Sequence, residues 1–97
     1  LQQFWEGAVA KVRFTSHLVR HRPAPTIEAE GATLAEVLAA GLAGDDLLRS
    51  YLLDEQGRLR KHVTIYVDGA VIADKLRLSD PVAPQSEIYV LQALSGG

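Results

Sequence analysis

The sequence ends Leu94-Ser95-Gly96-Gly97, and this end is where its residues best suit chemistry. Glycine has no Cβ and tolerates nearly any backbone angles. A tail closed by Gly96-Gly97 can therefore enter a narrow channel in extended form. Its carboxylate would sit at the bottom, with no side chain blocking a nucleotide phosphate or a nucleophile. A free carboxylate is a poor electrophile and must be activated before acyl transfer. Adenylation by a partner enzyme is one route, and the catalytic groups would then be the partner's. The alternative is a frayed end. At about 7% glycine usage, a terminal pair arises by chance in roughly 0.5% of chains. The pair gains weight from its place shortly after an apolar strand.

No rival chemistry is as well formed. Cysteine is absent, which excludes disulfides, thiolate nucleophiles and Cys-ligated metals. His17 and His21 are four apart, but on a Pro-flanked loop without a carboxylate cluster, and His62 is far along the chain. Asp45-Asp46 and Asp54-Glu55 read as helix-end and turn residues rather than an acid/base pair. Ser50 and Ser95 have no evident His/Asp partners, and no Gly-x-Ser-x-Gly elbow occurs. A phosphate-cradling Gly-x-x-x-x-Gly-Lys-Ser/Thr loop is also missing. Intrinsic catalysis and metal binding are thus not expected. Arg13, His17, Arg20, His21 and Arg22 form a basic cluster that reads first as a solvated loop. It is too short and too poor in aromatics for a nucleic-acid site. The net charge of -2 gives no general pull toward nucleic acid or anionic membrane.

The elements that must position the tail follow from periodicity. At 97 residues there is room for one core, and 47% hydrophobic against 23% charged residues argues for a folded domain over disorder. Residues 8–15 read as a strand, with Ala10, Val12 and Phe14 alternating with Lys11 and Arg13. Residues 16–25 form a loop closed by Pro23 and Pro25. Thr26–Glu30 alternates again and suits an antiparallel hairpin with the first strand. Thr33-Leu34-Ala35-Glu36 fits a capping box, and Leu34, Val37, Leu38 and Leu42 share a helical face. Gly41 and Gly44 read as stops for that helix. Asp45–Leu53 suits a shorter helix and Asp54–Gly57 a turn. Leu59–Val67 reads as a strand with Val63, Ile65 and Val67 on one side and His62, Thr64 and Tyr66 on the other. Asp68-Gly69 signals a tight turn, after which Val71-Ile72 pairs briefly. Residues 76–86 form a connection with Pro81 and Pro84. Glu87–Ala93 is the last strand. Two strands before the helix and the rest after it exclude an all-parallel alternating fold. An α+β fold results, a mixed sheet wrapped around one main helix. The first and last strands can lie side by side and parallel, joined by the crossover that holds the helix.

The sequence resembles the MoaD/ThiS family of ubiquitin-like proteins, which have the β-grasp fold. The resemblance rests on the Thr33–Leu42 helix, on Val63-Thr64-Ile65-Tyr66-Val67-Asp68-Gly69 and on the segment from Glu87 to Gly97. It covers most of residues 8–97, so residues 1–7, with the single Trp5, are set apart as an N-terminal tail. The stretch Leu59–Val67 is similar to the longer carriers that serve cysteine biosynthesis. The family often places an acidic-Gly-Asp turn before the last strand, where Val82-Ala83-Pro84-Gln85-Ser86-Glu87 stands here.

The resemblance implies a sulfur carrier rather than an enzyme. A ubiquitin-activating-type adenylyltransferase would use ATP and Mg²⁺ to adenylate Gly97, and sulfur would then replace AMP to give a thiocarboxylate. Ser95 and Gly96 would give the tail reach and clearance. The thiocarboxylate would serve a sulfur-accepting synthase or synthase subunit, in molybdopterin, thiamin, cysteine or related metabolism. A metalloprotease that trims or releases the tail is a further implied partner. Tyr66, Tyr89, Leu91 and Ala93, on the sheet face away from the helix, would dock the activating enzyme. No bound cofactor or metal, no nucleic acid and no membrane are implied, and the expected compartment is the cytoplasm. Two alternatives share these features: a protein modifier conjugated through Gly97, and a non-transferring β-grasp interaction module.

Overall fold

Alternating apolar residues build the centre of the fold. The computed structural model describes residues 9–14 and 26–92. Strand β1 (Ala10–Phe14) buries Ala10, Val12 and Phe14 and exposes Lys11 and Arg13, as its period of two requires. Strand β2 (Thr26–Ala29) pairs with it antiparallel, Ala10 opposite Ala29 and Arg13 opposite Thr26. Helix α1 (Leu34–Gly41) and the shorter α2 (Asp46–Leu52) follow. Strands β3 (Val63–Val67), β4 (Ala70–Val71) and β5 (Glu87–Gln92) complete one five-stranded sheet of order β2-β1-β5-β3-β4. Only β1 and β5 run parallel; every other neighbouring pair is antiparallel. The last strand is therefore central, and the crossover from β1 carries both helices. This is the mixed, helix-wrapped sheet expected from the sequence.

The sheet's inner face and α1 share one core. Leu34, Val37 and Leu38 of α1 join Val12, Val63, Ile65, Ile88 and Val90 in a single buried cluster. The Thr33 cap forms as its spacing predicts: the Glu36 amide donates to Thr33 Oγ1 at 3.3 Å. The Glu36 carboxylate reaches one residue further back than a capping box, accepting from the Ala32 amide at 2.8 Å. The remaining free amides of the first turn find distant partners. Leu34 N–H donates to the Asp80 carbonyl at 2.9 Å and Ala35 N–H to the Leu78 carbonyl at 2.8 Å. The long connection before β5 thus caps the helix, and it buries Leu78 and Val82 beside it.

Several boundaries move for physical reasons. Gly41 does not stop α1 but is its last residue. A Cβ there would meet Ile27 Cγ2 at 2.9 Å, so glycine permits the helix end to approach β2. The chain turns after Leu42, whose amide bonds the Leu38 carbonyl, and Gly44 takes a φ of +83°. Strand β3 begins at Val63, not Leu59. Leu59 instead bridges Leu53, and the Arg60 amide donates to the Leu52 carbonyl at 2.9 Å, closing a loop at the exit of α2. The Asp68-Gly69 turn has positive φ at both residues, 51° and 87°, as a two-residue hairpin needs. Its register makes β4 Ala70–Val71; Ile72, just past the strand, is buried and still donates its amide to the Ile65 carbonyl at 3.1 Å.

Asp68 also fixes where β5 starts. Its Oδ1 accepts from the Glu87 amide at 2.9 Å and its Oδ2 from the buried Ser86 hydroxyl at 2.7 Å. Ser86 Oγ accepts in turn from the Ala83 amide at 3.0 Å, which orders the turn from Val82 to Glu87. The Glu87 amide, and then the Ser86 hydroxyl, hold the Asp68 carboxyl below its usual range. The amide of Arg58 does the same for Asp54, and the Ser79 hydroxyl for Asp74. A carboxylate with a depressed folded pKa adds stability above its unfolded pKa of about 3.9 and loses it as pH falls through the folded value. Thermal midpoints should therefore hold steady near neutrality and drop below about pH 4. Asp68→Asn keeps a residue that tolerates positive φ but loses the charge. It should cost about 1 kcal/mol at pH 7, modest because the side chain faces solvent. The same substitution should flatten part of the acid-limb decline. An unchanged midpoint and acid limb would show that Asp68 does not lock the strand.

Candidate functional site

Outside the core, the sheet presents one open face. Its composition follows from register. Tyr66 on β3 lies opposite Tyr89 on β5, Tyr66 also lies opposite Val71 on β4, and Tyr89 lies beside Arg13 on β1. A row Val71-Tyr66-Tyr89-Arg13 thus crosses four strands. Val71 is 53% exposed, Tyr89 42% and Tyr66 36%, a large amount of apolar area for one face. Leu91, two residues after Tyr89, is half-buried opposite Thr64. The expected grouping of Tyr66, Tyr89 and Leu91 is thus brought together. Ala93 lies outside the described residues. Sequence reasoning did not include Val71. The signal was the Asp68-Gly69 turn, whose two-residue length fixes Val71 across from Tyr66.

A second row is charged. Lys11 faces Glu28 on one side and Glu87 on the other. The Tyr89 hydroxyl donates to Glu87 Oε1 at 3.2 Å, joining the two rows. Arg13, placed on the first strand by its alternation, lies on β1 and is exposed on this face. The other members of its basic cluster, His17, Arg20, His21 and Arg22, lie outside the described residues, as does Trp5.

Strand β5 carries the face toward the chain's end. Its last residue, Gln92, pairs with Val63. Ser95, Gly96 and Gly97 lie outside the described residues. Five residues of the sequence follow Gln92, and fully extended they can span at most about 18 Å.

The remaining polar candidates have local structural roles. Asp45 Oδ1 caps α2 by accepting from the Leu48 amide at 3.1 Å. Asp54 Oδ1 accepts from the amides of Gln56 and Arg58, both at 2.9 Å, holding its turn. The Ser50 hydroxyl donates to the Leu47 carbonyl at 2.6 Å within its own helix. Among the described residues no group of three or more His, Asp or Glu side chains could hold a metal ion. Also among these residues, no helix is long and apolar enough to cross a membrane.

A mixed sheet of order β2-β1-β5-β3-β4, wrapped on one main helix with its last strand central and parallel to its first, defines a ubiquitin-like β-grasp protein. The chain belongs to the ThiS family, whose model matches residues 18–97. Solved structures share the fold. SAMP1 from Haloferax volcanii is 21% identical with a TM-score of 0.75, covering 92% of this chain and 99% of its own. A chain of the Amycolatopsis orientalis BexX/CysO complex is 22% identical with a TM-score of 0.73, covering 91% and 99%. CysO from Mycobacterium tuberculosis is 23% identical with a TM-score of 0.68, covering 88% and 99%. A comparison with curated proteins finds no match.

Proposed function

We propose that this chain is a sulfur carrier acting through Gly97. The observation that carries the reading is the family match, which runs to residue 97 and so takes in Gly96-Gly97. The Gly97 carboxylate attacks the α-phosphorus of ATP, bound with Mg²⁺ in an adenylating partner. Pyrophosphate leaves and an acyl-adenylate forms. Hydrosulfide displaces AMP to give the thiocarboxylate directly; where a persulfide attacks instead, AMP leaves an acyl disulfide, which a second thiol cleaves to the thiocarboxylate, the thiol and the former persulfide group leaving joined as a disulfide. A synthase accepts that sulfur. The chain supplies no catalytic group; it supplies an unhindered terminus and a surface that holds it in place. The work is placed in the cytoplasm, where ATP is at hand. A metalloprotease that exposes or releases the tail fits the same scheme. Amycolatopsis orientalis CysO is itself seen in complex with BexX, which supports a partner-bound mode for proteins of this fold.

Intact-protein mass spectrometry tests the reading. After incubation with ATP, a cognate adenylating enzyme and a sulfur donor, one oxygen of the chain should be replaced by sulfur. An active enzyme that yields neither acyl-adenylate nor thiocarboxylate would refute the carrier. If a lysine of another protein receives the acyl group instead, the product is an isopeptide and the chain is a modifier.

Docking is assigned to Tyr66, Tyr89 and Leu91, with Ala93 beyond them. Leu91→Arg should raise the KM for the carrier in adenylation by about tenfold or more. A half-buried apolar contact is lost there and a charge must be desolvated. The thermal midpoint should change little, because Leu91 points away from the core. An unchanged KM would take Leu91 out of the docking surface.

A further inference from the structure

The two cations on the open sheet face have unequal surroundings. Lys11 has a carboxylate directly across on both sides, Glu28 on β2 and Glu87 on β5. Arg13 has Thr26 on one side and Tyr89 on the other. Neither cation makes an ion pair within 4.0 Å among the described residues. Lys11 is nevertheless offset by its neighbours, and Glu87 is further engaged by the Tyr89 hydroxyl. Directly across the strands Arg13 meets no opposite charge; Glu28 and Glu87 are only its diagonal neighbours, one pair further along. Arg13 closes the row Val71-Tyr66-Tyr89-Arg13 at the end where the apolar residues stop.

An exposed guanidinium at the margin of an aromatic patch is an incomplete recognition element. Covering Tyr66 and Tyr89 would bring a partner's surface against Arg13 and strip its water. That costs free energy unless the partner returns hydrogen bonds and negative charge. A carboxylate does both, and the planar guanidinium meets it with two parallel N–H donors. We propose that the adenylating partner presents, beside the apolar patch that covers Tyr66 and Tyr89, a carboxylate that meets Arg13. Arg13 thereby sets which adenylating enzyme this carrier accepts, and Lys11, already flanked by acids, does not. This inference rests on the carrier reading above and names the chemistry of its partner.

The test is pyrophosphate exchange with the purified ubiquitin-activating-type enzyme of the same genome, with the carrier varied as substrate. Arg13→Glu should raise the carrier KM by roughly 30-fold with kcat little changed, since a charge facing its like opposes docking rather than chemistry. Arg13→Lys keeps the charge but loses the paired donors, so its KM should rise by only about three- to tenfold, between wild type and Arg13→Glu. Lys11→Gln should also stay within about threefold. The wild-type KM should climb with added salt, and that slope should shrink in Arg13→Glu. Thermal midpoints monitor folding, and Arg13→Gln, neutral and of similar reach, stands in should the reversed charge unfold the chain. A KM for Arg13→Glu within threefold of wild type, while Leu91→Arg remains impaired, would overturn the acidic complement and leave the carrier intact. Equal losses in Arg13→Lys and Arg13→Glu would also overturn it, since shape and not charge would then be read. If the wild-type chain itself supports no exchange, the carrier reading fails and this inference falls with it.

Discussion

Removal of Gly97 should abolish adenylation, with a loss of at least about 1,000-fold in pyrophosphate exchange. The shortened chain still ends in a carboxylate, now on Gly96, so the chemistry of the group is unchanged. Its position is not. One extended residue contributes about 3.3–3.6 Å of reach, as much as a full reacting distance. A misplacement of about 1 Å can already cost 100-fold. Docking cannot make up the shortfall, because the face around Tyr66 and Tyr89 sits on a sheet that moves as a unit. Folding should be untouched: β5 ends at Gln92, and among the described residues the buried cluster lies before it. The variant should thus match wild type in thermal midpoint and compete with it for the enzyme. Exchange within tenfold of wild type would mean that the terminal residue is not the acyl donor.

Ile88→Ala should produce the largest loss of stability among single side-chain truncations of β5. Ile88 is fully buried, opposite Val12 on β1 and Val67 on β3. It therefore lies where the parallel and antiparallel halves of the sheet meet. Truncating a buried isoleucine costs about 2–5 kcal/mol, part lost transfer energy and part residual cavity. Domains of this size have about 5–15 kcal/mol in total. The thermal midpoint should fall by at least about 10 °C, and urea unfolding should show a matching shift. Ile88→Val, one methylene smaller, should cost only about 0.5–1.5 kcal/mol. A cost under 1 kcal/mol for the alanine variant would contradict the central place of β5.

How much of this was legible depended on how local the determining interactions are. The alternation in β1, the Thr33 cap and the Asp68-Gly69 turn are each set by neighbours within a few residues, and each forms where the sequence places it. The pairing of β1 with β5 joins distant segments. Periodicity allowed it, and the buried faces of Val12 and Ile88 made it economical, but only the register shows it. The start of β3 was misplaced because Leu59 falls on the same side as Val63, Ile65 and Val67, although Lys61 between them breaks that apolar row, and the bond from Arg60 to Leu52 has no sequence signature. The burial of Leu78 and Val82 escaped notice for a like reason: their segment caps α1 from far along the chain. At the site, Tyr66, Tyr89 and Leu91 were readable from alternation alone. Val71 needed the register, because it belongs to the face only through its cross-strand neighbour; Arg13 was on the outer side of β1 by alternation, and the register adds its place beside Tyr89. The tail remains a matter of sequence, carried by Gly96-Gly97 and the family match.

The central place of β5 has a mechanical consequence. A tail gripped inside an enzyme is pulled along the axis of the strand that bears it. Were β5 at the sheet's edge, it could peel away one hydrogen bond at a time. Here it is bonded to β1 on one side and to β3 on the other. Antiparallel bonds lie across the strand axis and parallel ones are slanted to it, so a pull along β5 loads both ladders in shear and they must give way together. The molecule is anchored like a tongue set between two grooves. A machine could tug hard at its terminus, or drag it through a constriction, and the body would stop at the entrance still folded.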